Sequence, residues 1–387
     1  MRYSVKTKCS LTRCTAYDYE KVYEALSESI ENLGGFAQYI AKGERVLLKT
    51  NLVMKKRPEE AATTHPVFVK ALAALLLEYG AEVIIGDSPG GPFIPSLMNS
   101  VYSGTGMSQV SKETGARLNA NYNSCTKDNP EGLIMKYLTL TDMINDVDKV
   151  ISVAKLKAHA MMTFTGAVKN MFGMVPGLSK AEYHLNMPNY EHFADMLIDV
   201  CLCCKPVLSF MDGIVSMEGN GPTAGDPVNT NVILASASPY HLDQAACGII
   251  DLGTDDVPVL KRLKARGIIG EMGDIDFVGG SIEEFFSKDF KISRSTSLFD
   301  LQDPNVPGFI KTFVSRCLQT RPHINLALCV GCGICKDACP ADIIDINAGK
   351  KAIINYKKCI RCYCCQELCP QKAVKMHRPT LAKLLKI

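Results

Sequence analysis

A run of four cysteines that occurs twice constrains this chain more than any other feature. Cys329-Val-Gly-Cys332-Gly-Ile-Cys335-Lys-Asp-Ala-Cys339-Pro340 has the spacing C-x2-C-x2-C-x3-C-P, and it returns 30 residues later as Cys359-Ile-Arg-Cys362-Tyr-Cys-Cys365-Gln-Glu-Leu-Cys369-Pro370. Three cysteines so close in sequence can wrap three corners of one iron–sulfur cube, while the fourth thiolate opens a helix turned toward another cube. The spacing therefore predicts two 4Fe-4S clusters with interleaved ligands. Cys329, Cys332, Cys335 and Cys369 would hold the first; Cys359, Cys362, Cys365 and Cys339 would hold the second. Zinc is the competing reading, but it takes separated C-x2-C pairs, which tandem runs of four fit poorly. Cys364 is a ninth thiol, read either as a surface cysteine without a role or as a replacement ligand. Ile334, Ala338, Leu368 and Val374 are expected to cover the cubes.

The chain has 387 residues and 17 cysteines, nine of them within Cys329–Cys369. The other eight (Cys9, Cys14, Cys125, Cys201, Cys203, Cys204, Cys247, Cys317) show no paired spacing and read as small buried hydrophobes in a reducing cell. With 47% hydrophobic and 21% charged residues, composition excludes disordered and fibrous classes. No apolar stretch approaches the ~18 residues of a membrane span. The opening MRYSVKTKCS lacks the apolar region of a secretory signal, so the cytoplasm is the expected compartment. From Arg321 onward 12 Lys+Arg face 4 Asp+Glu, whereas the preceding residues hold 31 against 36. No nucleic-acid motif accompanies the basic end, so docking against its own acidic partner domain is the simpler expectation.

Two domains are expected, 1–320 and 321–387. Strand and helix signals alternate over the first 300 residues, which predicts an α/β fold: a mostly parallel sheet with flanking helices, followed by a small α+β iron–sulfur domain. Strands are read at Arg45–Lys49, Glu82–Gly86, Lys149–Val153, Val207–Met211, Asn231–Ala235 and Ile275–Val278. Helices are read at Tyr17–Leu33, His65–Tyr79, Tyr190–Cys201, Tyr240–Ile250 and Val257–Arg266. An irregular stretch from about Ser287 to Pro307 leads toward the second domain.

Chemically loaded segments fall where strands end, and open α/β sheets gather ligands at the carboxyl ends of their strands. Lys49 and Asn51 close one strand, Asp87 another, and Asp212 and Glu218 a third; His65 opens a helix that Thr64 could cap. The densest segment carries Lys155, Lys157, His159, Lys169 and Asn170, with His184 beyond it. Cations and histidines at one strand end imply an anionic ligand, a metal, or both. The bland reading makes Asp87 and Asp212 turn residues; a strand-end loop so rich in Lys, His, Thr and Gly is an uncommon plain connection. No G-x-G-x-x-G, P-loop or G-x-S-x-G is present, so nothing supports NAD, ATP or serine hydrolysis; flavin has no reliable short signature and stays open.

From about Asn325 to Met376 the chain resembles the bacterial-type two-cluster ferredoxin. KTN, AATTHP, GDSPGG, SVAKLKAH, TGAVKNMFGMVPG and DGIVSMEGNGPTAG together resemble the domain-of-unknown-function family 362, over nearly all of Val5 to Glu284. That resemblance implies an iron–sulfur protein of anaerobic-type metabolism and no established reaction. The run Lys157, His159, Gly166, Lys169, Pro176-Gly177, His184 is also similar to the nickel-pincer segment of the lactate-racemase family, which implies a nickel cofactor held by a lysine and histidines. The expected function is iron–sulfur electron transfer, in which the ferredoxin module feeds electrons from an external redox partner to an anionic substrate or cofactor. Lys157, His159, Lys169 and His184 would be catalytic; Lys49, Asn51, His65, Asp87, Lys155, Asn170, Asp212 and Glu218 would bind the substrate. A non-catalytic carrier or adaptor and a metal-cofactor isomerase are the alternatives.

Overall fold

Short β-branched and leucine-rich runs bounded by turn residues become the strands of one large sheet. The computed structural model describes residues 6–187, 189–292, 307, 320–377 and 379–380. In chain order the strands are β1 (Thr7–Arg13), β2 (Arg45–Lys49), β3 (Glu82–Gly86), β4 (Arg117–Leu118), β5 (Ser124–Asp128), β6 (Tyr137–Thr141), β7 (Lys149–His159), β8 (Thr163–Thr165), β9 (Leu208–Glu218), β10 (Asp226–Ser236) and β11 (Ile275–Val278). Among the described residues the main sheet has nine strands in the order β11-β1-β10-β9-β7-β2-β3-β4, with β8 paired to β7 off that path. The β9-β7-β2-β3-β4 stretch and the β1–β11 pair are parallel, while β10 runs antiparallel to both its neighbours. The fold is thus a mostly parallel sheet with flanking helices, as the alternation of signals implies. β5 and β6 form a separate hairpin.

Helices cover the sheet because their apolar residues fall on one face. In Tyr19–Asn32 the buried set is Val22, Ala25, Leu26, Ser29 and Ile30, at three- and four-residue spacing, and the Asp18 side chain caps the start. Helix Pro66–Tyr79 starts on a proline and stops at Gly80, whose φ of 102° is the left-handed conformation such a stop requires. Its cap is His65, whose ring accepts from the Val67 N–H, and not Thr64. The Thr64 hydroxyl instead accepts from Asn51 N and donates to Val153 O, tying β2 to β7. Asn189 caps helix Tyr190–Cys204.

Beyond residue 320 the chain builds a second, smaller core. Strands β12 (Arg321–Ile324) and β15 (Val374–His377) pair antiparallel, as do β13 (Ile344–Ile346) and β14 (Ala352–Ile354). Each cysteine run contributes one short helix, Ile334–Asp337 and Cys364–Glu367. Ile324, Ile343, Ile344, Ile354 and Val374 pack with Cys329, Cys335, Cys365 and Cys369 in this core. Tyr363 does not join them; it is buried in the large core of the first 300 residues. Most of the irregular stretch expected from Ser287 to Pro307, and Cys317, lie outside the described residues.

Candidate functional site

Two cavities in the second core are lined by thiols. One is bounded by Cys329, Cys332, Cys335 and Cys369; the other by Cys339, Cys359, Cys362 and Cys365. The backbone N–H of Ala352 donates to Cys329 Sγ at 3.5 Å, and that of Ala373 to Cys369 Sγ at 3.3 Å. Such N–H to sulfur contacts stabilise thiolates and tune a bound cluster. Among the described residues no three His, Cys, Asp or Glu side chains are arranged to hold a metal ion. Each cavity is lined by four cysteines, the number of thiolates that a 4Fe-4S cluster takes. Cys364 is not a surface cysteine: only 8% of it is exposed. Ile334, expected to cover a cube, is 40% exposed.

The cation cluster of the large domain is not a loop. β7 runs on to His159, so Lys155, Lys157 and His159 alternate with Leu156 and Ala158 and lie along one strand; a register shift against β9 falls between Lys155 and Lys157. Every residue of β7 after Lys149 is buried. Burying three basic groups is costly unless each is paired or loses its charge.

Each finds a different solution. Lys155 Nζ donates to Asp212 Oδ2 at 2.8 Å and to Tyr17 Oη at 2.7 Å, and the tyrosine hydroxyl donates to Asp212 Oδ1. The His65 ring stacks on Tyr17 at 3.5 Å, and its backbone N–H also reaches Asp212. Lys49 Nζ pairs with Asp87 at 2.7 Å and donates to Asn170 Oδ1 at 3.2 Å. Burial lowers the pKa of Lys49 and Lys155, and the paired aspartates act against it. A Cβ on Gly173 would stand 2.1 Å from Asp87 Oδ1 and 2.5 Å from Lys49 Nζ, so only glycine leaves room for that pair. Lys157 pairs with no carboxylate among the described residues. Its Nζ donates to Asn51 Oδ1 at 2.7 Å and Ala62 O at 2.6 Å, and burial, with Lys169 nearby, lowers its pKa to about 7. Lys180 donates to the carbonyls of Ser88 and Pro89, and burial brings it to about 7 as well.

His159 Nδ1 accepts from the N–H groups of Met161 and Met162, so the ring proton sits on Nε2. Burial and then Lys169 lower its pKa to about 4, which leaves a neutral imidazole at pH 7. His184 stacks on Phe193 at 4.4 Å, and burial lowers it to about 3. The Lys169 ammonium lies 5.7 Å from the Phe172 ring centre.

Into this buried basic cluster comes a carboxylate from the other end of the chain. Glu367, in the helix between Cys365 and Cys369, brings Oε1 to 3.0 Å from His159 Nε2, with 16% of its side chain exposed. Burial works against its charge, but His159, Lys169 and His184 outweigh it and hold the carboxyl at about 2. His184 Nδ1 is buried without a hydrogen-bond partner among the described residues, while His159 Nε2 and Glu367 Oε1 face each other at 3.0 Å. Around them the two parts of the chain interlock. Gln366 Nε2 donates to Asn220 O at 2.8 Å, and Thr223 Oγ1 donates to Glu367 O at 2.8 Å. Lys372 pairs with Glu60 at 3.2 Å. A Cβ on Gly90 would meet Leu368 Cδ2 at 2.7 Å, so the GDSPGG loop has glycine where the module seats.

The family described as Domain of unknown function (DUF362) matches residues 46–248 of this chain. The chain belongs to the DUF362 family. The 4Fe-4S dicluster domain matches residues 321–370, so this DUF362 chain ends in an iron–sulfur electron-transfer module that binds 4Fe-4S. A relative, the thylakoid-associated protein sll1697 of Synechocystis sp., is 30% identical over 321 residues, 81% of this chain and 97% of that protein. Among solved structures, the lactate racemase apoprotein of Thermoanaerobacterium thermosaccharolyticum is similar at 11% identity and a TM-score of 0.38, over 62% of this chain and 56% of that one. A Thermotoga maritima protein is similar at 16% identity and a TM-score of 0.37, over 59% of this chain and 58% of that one. The DUF362 chain thus spans less than two thirds of either solved chain, and neither likeness carries an argument about function. No helix among the described residues is long and apolar enough to cross a membrane.

Of the residues singled out in the DUF362 sequence, the fold joins Lys49, Asn51, Asp87, Lys157 and Asn170 in one hydrogen-bonded network. Lys155, Asp212 and His65 form an adjoining one. Electrostatic contact links His159, Lys169 and His184 through Glu367. Glu218 stands apart: it accepts from Lys291 N and Nζ at 2.8 and 2.9 Å. Sequence reasoning missed Tyr17, Gln366 and Glu367. Glu367 occupies the place in the second run that Asp337 occupies in the first, and nothing in the two runs tells which would be buried.

Proposed function

We propose that this protein is an oxidoreductase in which the module from residue 321 onward exchanges electrons with a small anionic molecule held in the basic pocket of residues 1–320. One observation carries the reading: Glu367, flanked in sequence by Cys365 and Cys369, touches His159 inside that pocket at 3.0 Å. Cys329, Cys332, Cys335 and Cys369 would hold one 4Fe-4S cluster, and Cys339, Cys359, Cys362 and Cys365 the other; the two thiol-lined cavities support both sets. When bound, the clusters supply and take up single electrons.

The side chains do the rest. Lys157 and Lys169 attract the anion; burial brings Lys157 to about 7, so an anion arriving beside it draws the amine into its charged form. Asn51 holds the Lys157 amine in place, and Asn170, Lys49 and Asp87 in turn hold Asn51. The neutral His159 ring offers its Nε2 proton to the ligand as charge builds up there, and His184 keeps an unpartnered nitrogen beside it. Lys155, Asp212, Tyr17 and His65 brace the neighbouring stretch of β7. The incoming anion competes with the Glu367 carboxylate for Lys169, so that carboxylate marks where an acidic group is received. Glu218 acts only as a brace for the segment at Lys291. An external redox protein supplies the electrons. A reducing compartment such as the cytoplasm suits the free thiols of the described cysteines.

Anaerobic purification tests the reading. The expected protein is brown, holds about eight iron and eight sulfide per chain, and on denaturation releases a small acidic molecule detectable by mass spectrometry. Lys169→Ala should keep the iron and lose that molecule. Colourless, zinc-loaded protein, or a Lys169→Ala variant that releases the same molecule in the same amount, overturns it.

A further inference from the structure

We propose that the face around Cys332 is the docking surface for an acidic one-electron carrier, a small protein whose apolar contact patch is ringed by carboxylates. The proposal rests on the electron-transfer reading above and concerns the opposite end of the same path.

Its basis is the unequal covering of two equivalent faces. The helix of the second cysteine run is covered by the chain's own large domain: Gln366 donates to Asn220 O, Glu367 reaches His159, and Cys364 is 8% exposed. The matching surface of the first run, 30 residues earlier, lies bare. Leu328, Val330 and Ile334, close to Cys332 in the sequence, are 44%, 59% and 40% exposed, and Cys332 is itself an exposed thiol that lines the first cavity together with Val330. Three apolar side chains left in water around a cluster ligand form the kind of small patch that transient electron-transfer partners use, since such encounters bury little area.

The rim of the patch identifies the occupant. The backbone of Gly331 packs so closely on Lys350 that a Cβ there would lie 2.1 Å from Lys350 O, which sets the β13–β14 turn beside the patch. Lys350 is exposed, and Lys351 donates to Cys329 O at 2.6 Å from the same turn. Lys336 stands on the helix that carries Ile334, but Asp345 pairs with it at 3.0 Å and exposed Asp337 follows it, so Lys350 is the main cation of the rim. An apolar centre with a lysine rim matches an apolar centre with an acidic rim, and such complementarity acts mainly on the rate of encounter.

Stopped-flow reduction of the anaerobic, cluster-loaded full chain tests this, with pre-reduced flavodoxin, an acidic one-electron carrier, as the probe and dithionite as the small-molecule control. The flavodoxin rate should fall about tenfold or more between low and high salt, as screening removes the attraction. Lys350→Glu and Val330→Glu should each slow the flavodoxin reaction about tenfold and leave the dithionite reaction unchanged. Lys205→Glu, at an exposed site on the large domain, should change neither. The milder Lys350→Gln should fall between wild type and Lys350→Glu. The proposal is overturned by a wild-type rate indifferent to salt, by variants as fast as wild type with flavodoxin, or by a dimer that Val330→Glu converts to monomer, which would make the patch an interface between copies. Failure of the pocket reading is separable. Lys169→Ala would then release the same small molecule as wild type while its reduction by flavodoxin keeps these features, and protein that dithionite cannot reduce contradicts the electron-transfer reading itself.

Discussion

The two cysteine runs share one spacing of cysteines and proline and are opposites in environment. Ile334 and Cys364 hold equivalent places, yet one is 40% exposed and the other 8%. Lys336 and Asp337 face solvent where Gln366 and Glu367 enter the large domain. A duplicated motif yields two similar thiol cradles, but docking breaks their equivalence: one side turns inward to a pocket of buried bases and the other stays open. The lesson is that burial of a charge is decided by what is waiting for it. Glu367 can leave water because His159, Lys169 and His184 lie in its path; Asp337 meets no such set.

The comparison is tested most harshly by reversing the buried charge. Glu367→Lys places a cation among Lys157, Lys169 and the histidines and should destabilise the protein by about 3–5 kcal/mol in chemical denaturation. Asp337→Lys, its counterpart, should change stability by less than about 0.5 kcal/mol. Equal effects would mean that the two faces are alike in solution.

Acid should act on the docked side. The pKa of His159 and of His65 is about 4 in the fold and that of His184 about 3, all below the ordinary 6.5. The unfolded chain therefore binds protons that the folded one refuses, and stability is lost as pH falls from about 6.5 toward those values. Asp243, raised to about 7 by burial, works the other way between its ordinary 3.8 and that value, but it is one group against three. Melting temperature should fall on acidification, and His159→Gln should flatten the dependence by up to one proton.

Smaller effects sharpen the seam. Gly90→Val crowds Leu368 and should cost about 1–3 kcal/mol, with faster proteolysis near residue 320 as the module loosens. Gln366→Ala removes the contacts to Asn220 O and Gly221 O and should cost about 1 kcal/mol, whereas Lys336→Ala at the open face should be almost silent.

Much of the frame is legible in the sequence because it depends on local pattern. Arg45–Lys49, Glu82–Gly86 and Ile275–Val278 form strands over the residues that hydrophobicity and turn signals mark out. The end of β7 is not legible. Lys155, Lys157 and His159 look like a polar loop, and only the presence of Asp212, Asn51 and Glu367 lets them continue a buried strand. β1 and the β5–β6 hairpin escape notice because Thr7–Arg13 and Ser124–Asp128 mix polar residues into short runs, and pairing across the sheet overrides weak local preference. The cysteine spacing foreshadows the lining of both cavities. The seat of the second run does not show, because the contact of Glu367 with His159 spans more than 200 positions of the chain and depends on shape.

Carboxyl labelling of the anaerobic, cluster-loaded protein with a carbodiimide and an amine, read by peptide mass spectrometry, addresses the central claim most directly. Asp337 should be modified readily and Glu367 hardly at all until the protein is unfolded. Labelling of Glu367 at the rate of Asp337 in the folded protein would place that carboxylate in solvent and contradict a module seated on the basic pocket.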